Sequence, residues 1–501
     1  MLLELLISIA IVLLLYRRWI KRDVFKLGKQ LNSGVRTFPF LGHSYLFFGD
    51  DQTRMKAFQT LGRDAIRKED GLSSMWHGTY LYTMIAEPEA AELVLKTCLE
   101  KDDLMQLANL FIGNGSIFAP VSIWRPRRKV FVRSFSMKSL KYFMSIFVNQ
   151  SSVLVQKMGK VAGTGPVAAW KFFTAYTMDA IAALGYQMGA QKDSGHPFLK
   201  AFEYALAKTS QRFCQPWLHS DLVYTNLPVY LRIMEEKKYV WDFIAELLKT
   251  KRMEMKHDTG RQEHDERCSS TTFMELFIRC SGGDEGYTDI EVMEEVVVIM
   301  LAGNDTSAVG ASFVSVLLSR HPEVQEKVYE ELQEVFGDSD RPATFDDLPR
   351  LKYLDAVVRE TLRLYPPVPV ITRKVEKDVV LPTGIKIVPG TGVIVNIWAL
   401  HRNPRYWGDD AELFRPERFI DTPLKHPAAF MPFSHGPRNC VGYQYAMTSM
   451  KTVLSSLLRR YRILPATAPN YNSQYPPLRL KFDLMMKDKD DFQIRIESRC
   501  K

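Results

Sequence analysis

Between Thr288 and Pro322 the chain contains no proline, and it opens with Thr288-Asp289-Ile290-Glu291, a pattern in which a threonine and a glutamate three residues on cap each other's backbone. This spacing predicts one uninterrupted helix of about 30 residues. Within it, Val296 to Ala302 is apolar on every side. A helix that is apolar all round must be surrounded by protein or lipid, so the segment is expected to run through the centre of a large fold.

The rest of the chain can supply that surrounding. Of its 501 residues, 46% are hydrophobic and 25% charged, enough to bury a large core. No low-complexity linker divides it. Pro322 suits the first turn of a second helix, through Val324, Val328 and Leu332 to a stop at Gly337. A further helix covers Leu354 to Leu364 and ends before Pro366-Pro367, and helical patterns dominate up to about residue 365.

Beyond that point the texture changes. Gly384 to Gly390 and Val393 to Ile397 read as short strands and a turn. Alternation in Leu478, Leu480, Phe482 and Leu484, and again in Phe492, Ile494 and Ile496, reads as a carboxyl-terminal hairpin with one buried face. The fold class is mainly α with minor β. Asp258 to Ser270 is polar and charged and reads as an exposed loop.

Met1 to Tyr16 is apolar apart from Glu4 and Ser8, and Arg17, Arg18, Lys21 and Arg22 come directly after it. A cleavable signal carries its basic residues ahead of the apolar run, so residues 1–20 read as an uncleaved membrane anchor. The positive-inside tendency places the chain beyond Arg17 in the cytosol. Phe38-Pro39-Phe40-Leu41-Gly42-His43 reads as a rigid turn ending a basic hinge over residues 21–45, with the globular body over 46–501.

The six cysteines (Cys98, Cys214, Cys268, Cys280, Cys440 and Cys500) are scattered and form no CxxC pair, which suits reduced thiols in the cytosol. Asn114-Gly-Ser, Asn149-Gln-Ser and Asn304-Asp-Thr match the glycosylation tripeptide by chance, since a cytosolic body never meets that machinery. A net charge of +9 is compatible with anionic lipid, an acidic protein or nucleic acid. Without an arginine-rich tail, an RNA-binding signature or finger spacing, nucleic acid is the least favoured.

The most specific stretch is Phe433-Ser434-His435-Gly436-Pro437-Arg438-Asn439-Cys440-Val441-Gly442. Cysteine binds a metal only as thiolate, so such a loop must stabilise negative charge. Glycines at 436 and 442 let backbone approach a flat group. Five residues here fit FxxGxRxCxG, and on them the chain resembles the cytochrome P450 family. Glu360-Thr361-Leu362-Arg363 fits ExxR, Phe414-Arg415-Pro416-Glu417-Arg418-Phe419 fits FxPERF, Ala302-Gly303-Asn304-Asp305-Thr306-Ser307 fits AGx[DE]T[ST], and Trp124-Arg125-Pro126-Arg127-Arg128 fits WxxxR. Glu295 to Ser307 is similar to the clan that contains long-chain fatty acid omega-hydroxylases and many insect microsomal enzymes.

The resemblance implies the cytochrome P450 fold, heme b (iron protoporphyrin IX) and a monooxygenase acting on a hydrophobic small molecule. It implies Cys440 as the iron ligand and Trp124, Arg128, Arg373 and Arg438 as propionate partners, with Phe433 and Gly303 beside the cofactor. Asp305 and Thr306 would pass protons during oxygen activation, and Glu360, Arg363 and Arg418 would form a buried charge network. Electrons would come from NADPH-cytochrome P450 reductase, with cytochrome b5 as a second donor, at the endoplasmic reticulum membrane. Arg125, Arg127, Lys129 and Arg133 read equally well as a basic patch for the reductase or as an ordinary solvated face. Ala302 stands where the clan often has a glutamate that esterifies the haem, so no such bond forms here. Two rivals remain at this point: a haem-thiolate isomerase or dehydratase, and a haem carrier or sensor.

Overall fold

The computed structural model describes residues 4–5, 8, 16, 18–182, 189–192, 196–258, 272–279, 286–468 and 475–499. Most of the anchor, residues 259–270 of the expected loop, and Cys268, Cys280 and Cys500 lie outside the described residues.

The elements that position the site are helices α1 (Arg22–Leu31), α2 (Pro88–Thr97), α3 (Val121–Ser134), α4 (Ala169–Ala182), α5 (Pro197–Cys214), α6 (Asp289–Arg320), α7 (Pro322–Phe336), α8 (Lys352–Leu364) and α9 (Tyr443–Leu458). The strands are β1 (Leu72–His77), β2 (Tyr80–Ile85), β3 (Val167–Ala168), β4 (Val370–Lys374), β5 (Gly392–Asn396), β6 (Tyr461–Pro465), β7 (Leu480–Asp483), β8 (Met485–Asp488) and β9 (Gln493–Ser498).

Helix α6 is the axis. Its 32 residues span about 48 Å at 1.5 Å per residue. The capping box forms as expected: Thr288 Oγ1 accepts the Glu291 N–H, and Glu291 Oε2 accepts the Thr288 N–H at 2.9 Å. The helix stops at His321 because Pro322 disfavours a helical residue before it. It is long and apolar enough to cross a membrane, yet it is buried inside the protein. One large core cluster packs along its first half and another along its second half. Phe313, for example, stacks on Tyr365 and meets Phe492 edge-on, each with centroids 4.7 Å apart. Helix α7 begins at Pro322 and stops before Gly337, and α8 ends before Pro366, as proline and glycine predict.

A four-stranded sheet in the order β1-β2-β5-β4 flanks the helices, with β2 and β5 parallel and the other pairs antiparallel. The amino-terminal hairpin of this sheet is a strand pair that the sequence reading did not foresee, within a region that helices dominate up to residue 365. The carboxyl end differs from expectation as well. Strand β7 turns back on β8 through Leu484 at φ 60°, whereas β9 pairs with β6 and β3. Alternation showed that each segment has one buried face, but period-2 patterning does not say which strand lies alongside.

Candidate active site

The cysteine loop is a tight turn seated on α2. Cys440 N–H donates to Phe433 O at 2.9 Å, and Ser434 N–H to Met431 O at 3.0 Å. Gly436 sits at φ +74°, and a Cβ there would lie 2.5 Å from the Leu95 carbonyl oxygen. The close protein neighbour of Gly436 is therefore α2. At Gly442 a Cβ would fall 3.9 Å from Cys440 Sγ, so glycine leaves the flank of the sulfur open.

A cavity of about 420 Å³ reaches Cys440 Sγ and, from α6, Ala302, Gly303, Thr306 and Ser307. The exposed surface of Cys440 faces this cavity. Burial pushes its thiol up, against the Gly442 N–H and the Arg128 charge, which lower it. A metal cation bound at the sulfur would ionise it, as it does any coordinating thiol.

Three cations, Lys101, Arg128 and Arg438, line one side of the cavity, and Arg373 lies close to Lys101 and Arg438 without lining it. Arg128 donates to Asn439 O at 2.8 Å and Oδ1 at 2.7 Å. Arg438 lies over the Trp124 ring at 4.8 Å and donates to the carbonyls of Leu99, Ser116 and Ala119. Arg373 is 1% exposed with its Nε unpartnered, and burial lowers it to about 10. Burial, with Arg373 and Arg438 nearby, pushes Lys101 well down. The Glu100 carboxylate in their neighbourhood accepts the Val121 N–H. Burying so much positive charge is costly without an anion. A flat ligand with an apolar body and two carboxylates, liganded through iron to Cys440, supplies it, so these residues fit heme b. Lys101 left no mark in the sequence because Lys101-Asp102-Asp103 looks like an ordinary charged turn.

Thr306 Oγ1 donates to Ala302 O at 2.7 Å, the local bond that threonine makes inside a helix. Asp305, expected beside it at the cavity, turns elsewhere: it is 4% exposed and accepts from Lys487 Nζ of β8 at 2.9 Å. Successive helical residues point about 100° apart, so 305 and 306 cannot share a face. Gly303 does line the cavity, but a Cβ there would meet Ile181 of α4 at 2.8 Å, so its close neighbour is that helix. Arg127, expected in the basic patch, is 3% exposed and paired with glutamates of α6, whereas Arg125, Lys129 and Arg133 are exposed.

Behind the site, Glu360 and Arg363 form a fully buried pair at 2.7 Å, and Arg418 Nε reaches Glu360 at 3.3 Å. Arg363 also donates to the carbonyls of His401, Ala411 and Leu413. His401 Nε2 accepts the Met431 N–H at 2.9 Å, so its proton sits on Nδ1, facing Arg363 O at 3.1 Å. The network thus reaches the residues just before the cysteine loop.

The apolar walls include Met105, Phe118, Leu206, Phe213 and Ile371. Met75, His77 and Tyr82 of the first hairpin, and Phe482 and Leu484 of the last, join them.

Burial lowers His77 and His401 from 6.5 to about 3. The unfolded chain takes up these protons near pH 6.5 and the folded one only near 3. Stability should therefore fall with falling pH across that window, by about 1.4 kcal/mol per unit for each histidine. Denaturant midpoints measured from pH 7 to 5 check this. A flat profile between 6.5 and 5 would contradict it.

Residues 34–489 match the family model described as cytochrome P450. Cytochrome P450 4d2 of Drosophila melanogaster is 31% identical over 476 residues, covering 92% of this chain and 93% of that one. Cytochrome P450 4V2 of Homo sapiens is 30% identical over 478 residues, covering 93% and 89%. Cytochrome P450 4c3 of Drosophila melanogaster is 30% identical over 520 residues, covering 98% and 93%.

Proposed function

The chain belongs to the cytochrome P450 family and is a haem-thiolate monooxygenase, and from that premise we propose that it inserts one oxygen atom of O2 into a C–H bond of a broad class of hydrophobic small molecules, among them fatty acids, hormone-like lipids, odorants and xenobiotics. The observation that carries the reading is the apolar cavity that joins Cys440 Sγ, the arginines beside it and the Thr306 hydroxyl.

When bound, heme b supplies the oxygen activation and C–H oxidation. Cys440 would hold its iron, and Trp124, Arg128, Arg373, Arg438 and Lys101 its propionates, with Phe433 packed beside the sulfur. Arg438 and Arg128 are fixed by backbone carbonyls and by Asn439, so their charge stands ready without reorganisation. Glu360, Arg363 and Arg418 hold the loop's support in register. Ala302 leaves no carboxylate to esterify the cofactor, in keeping with a broad substrate range.

Thr306 positions a proton at the cavity wall. Its hydroxyl bonds Ala302 O at rest and can turn to donate into the cavity, while Asp305 and Lys487 form a charge pair behind it. Thr306→Val keeps the shape and removes the proton. Product formed per NADPH consumed should fall on the order of 10²-fold, the scale of a lost general acid, with the ferric spectrum unchanged. Normal coupling in the variant would remove Thr306 from the proton path.

Electrons are proposed to come from NADPH-cytochrome P450 reductase, with cytochrome b5 as a second donor. Arg125, Lys129 and Arg133 on α3 offer a basic surface to an acidic partner. Residues 1–20 are proposed as the anchor, 21–45 as the hinge and 46–501 as the catalytic domain, facing the cytosol at the endoplasmic reticulum. Exposed Phe40, Phe48, Trp217 and Leu222 are apolar enough to rest on lipid. The test is product formation with purified reductase: it should require NADPH and O2. Product without NADPH would favour an isomerase, and haem binding without product a carrier.

A further inference from the structure

Three carboxylates of α6 surround one buried arginine at a place the chemistry does not use. Arg127 Nη1 lies 2.7 Å from Glu295 Oε1 and 3.2 Å from Glu294 Oε2, and Nη2 lies 3.0 Å from Glu291 Oε1. Positions 291, 294 and 295 share one helical face, so a single guanidinium reaches all three.

The same groups hold a loop. Glu294 Oε1 accepts the Asn114 N–H at 2.7 Å, and Glu295 Oε1 accepts the Ser116 N–H at 2.9 Å and its hydroxyl at 2.8 Å. Arg127 Nη1 donates to Asn114 O at 3.0 Å. Gly113 sits at φ +67°, and a Cβ there would lie 2.6 Å from Glu294 Oε1, so the seat has no room for a side chain. On its other side the loop is tied to the cysteine loop, since Arg438 donates to Ser116 O at 3.2 Å and Ala119 O at 2.7 Å. Between these ties, Ile117 and Phe118 project into the cavity.

We propose that Glu294, Glu295 and Arg127 are positioning residues for substrate selection, which fix residues 113–118 so that Ile117 and Phe118 present one shape to an apolar substrate. This rests on the monooxygenase function proposed for the site. None of the three lines the cavity among the described residues, so they act only through the loop. The effect is large because a displacement of about 1 Å at a reacting carbon changes rate on the order of 10²-fold. Glu295→Gln keeps an acceptor oxygen for Ser116, whereas Glu295→Ala and Glu294→Ala release the loop. Gly113→Ala displaces it with all three carboxylates and Arg127 in place.

The test uses the full-length, haem-loaded protein with purified reductase, and dodecanoic acid, progesterone and an ethoxycoumarin as probes. For each probe that the wild type oxidises, Glu294→Ala, Glu295→Ala and Gly113→Ala should keep the thiolate spectrum, raise KM about tenfold and change the ratio of positions oxidised. Glu295→Gln should restore the wild-type ratio. If an alanine variant at 294 or 295 does not fold, Gly113→Ala alone decides. Unchanged KM and product ratio in haem-loaded Gly113→Ala, or in both glutamate variants, would overturn the positioning role and leave the monooxygenase reading standing. A wild type that forms no NADPH-dependent product from any probe would overturn both.

Discussion

Cys440→Ser should fold, take up haem and lose monooxygenase turnover on the order of 10³-fold or more, a loss of about 4 kcal/mol in transition-state stabilisation. Serine has nearly the same size, and the loop is held by bonds that do not involve the side chain: Cys440 N–H to Phe433 O at 2.9 Å, and Arg128 to Asn439. The cations that would meet the propionates are unchanged. What disappears is the sulfur, and with it the electron donation that favours O–O cleavage. Product formation with reductase and NADPH measures the effect. Turnover within tenfold of wild type would place the chemistry elsewhere.

Arg363→Ala should cost about 3–5 kcal/mol of stability, the range for removing one partner of a buried ion pair. Glu360 would remain fully buried with only Arg418 at 3.3 Å and the Arg415 N–H at 2.9 Å. The carbonyls of His401, Ala411 and Leu413 would lose a donor as well. Against a total of roughly 5–15 kcal/mol, that unfolds a marginal protein. Arg363→Lys should not rescue it, because one ammonium cannot span a bidentate carboxylate and three carbonyls. Denaturant midpoint and retained haem report the change together, and a loss under about 1 kcal/mol would show that the network is dispensable.

Sequence was most informative where the chemistry is local. The capping box of α6 lies within four residues, Pro322 and Gly337 mark boundaries by backbone restriction alone, and the cysteine loop is one short segment. Trp124 and Arg128, singled out by motif membership, both line the cavity, since i and i+4 share a helical face. It failed one residue away. Arg127 looked like its exposed neighbours yet turns about 100° toward α6 and is buried there, and Asp305 turns from the cavity that Thr306 faces. Which face a helix buries depends on neighbours far along the chain.

Pairing across the chain was equally hidden. The partners of β9 are β6, some 30 residues earlier, and β3, far earlier still, and not the nearby β7. The β1–β2 hairpin did leave a signal in Gly78-Thr79, a two-residue turn between segments rich in strand formers. It was overshadowed by the helical patterns around it. Lys101 left none: only the fold shows that it shares a cavity with Arg128 and Arg438.

The most direct measurement is the reduced, carbon monoxide difference spectrum of the purified wild-type chain loaded with heme b. Iron bonded to Cys440 Sγ should give the strongly red-shifted Soret band of a thiolate ligand, absent in Cys440→Ser. A wild-type band at the shorter wavelength typical of histidine or thiol ligation, or an identical band in the serine variant, would contradict the assignment of Cys440 as the iron ligand.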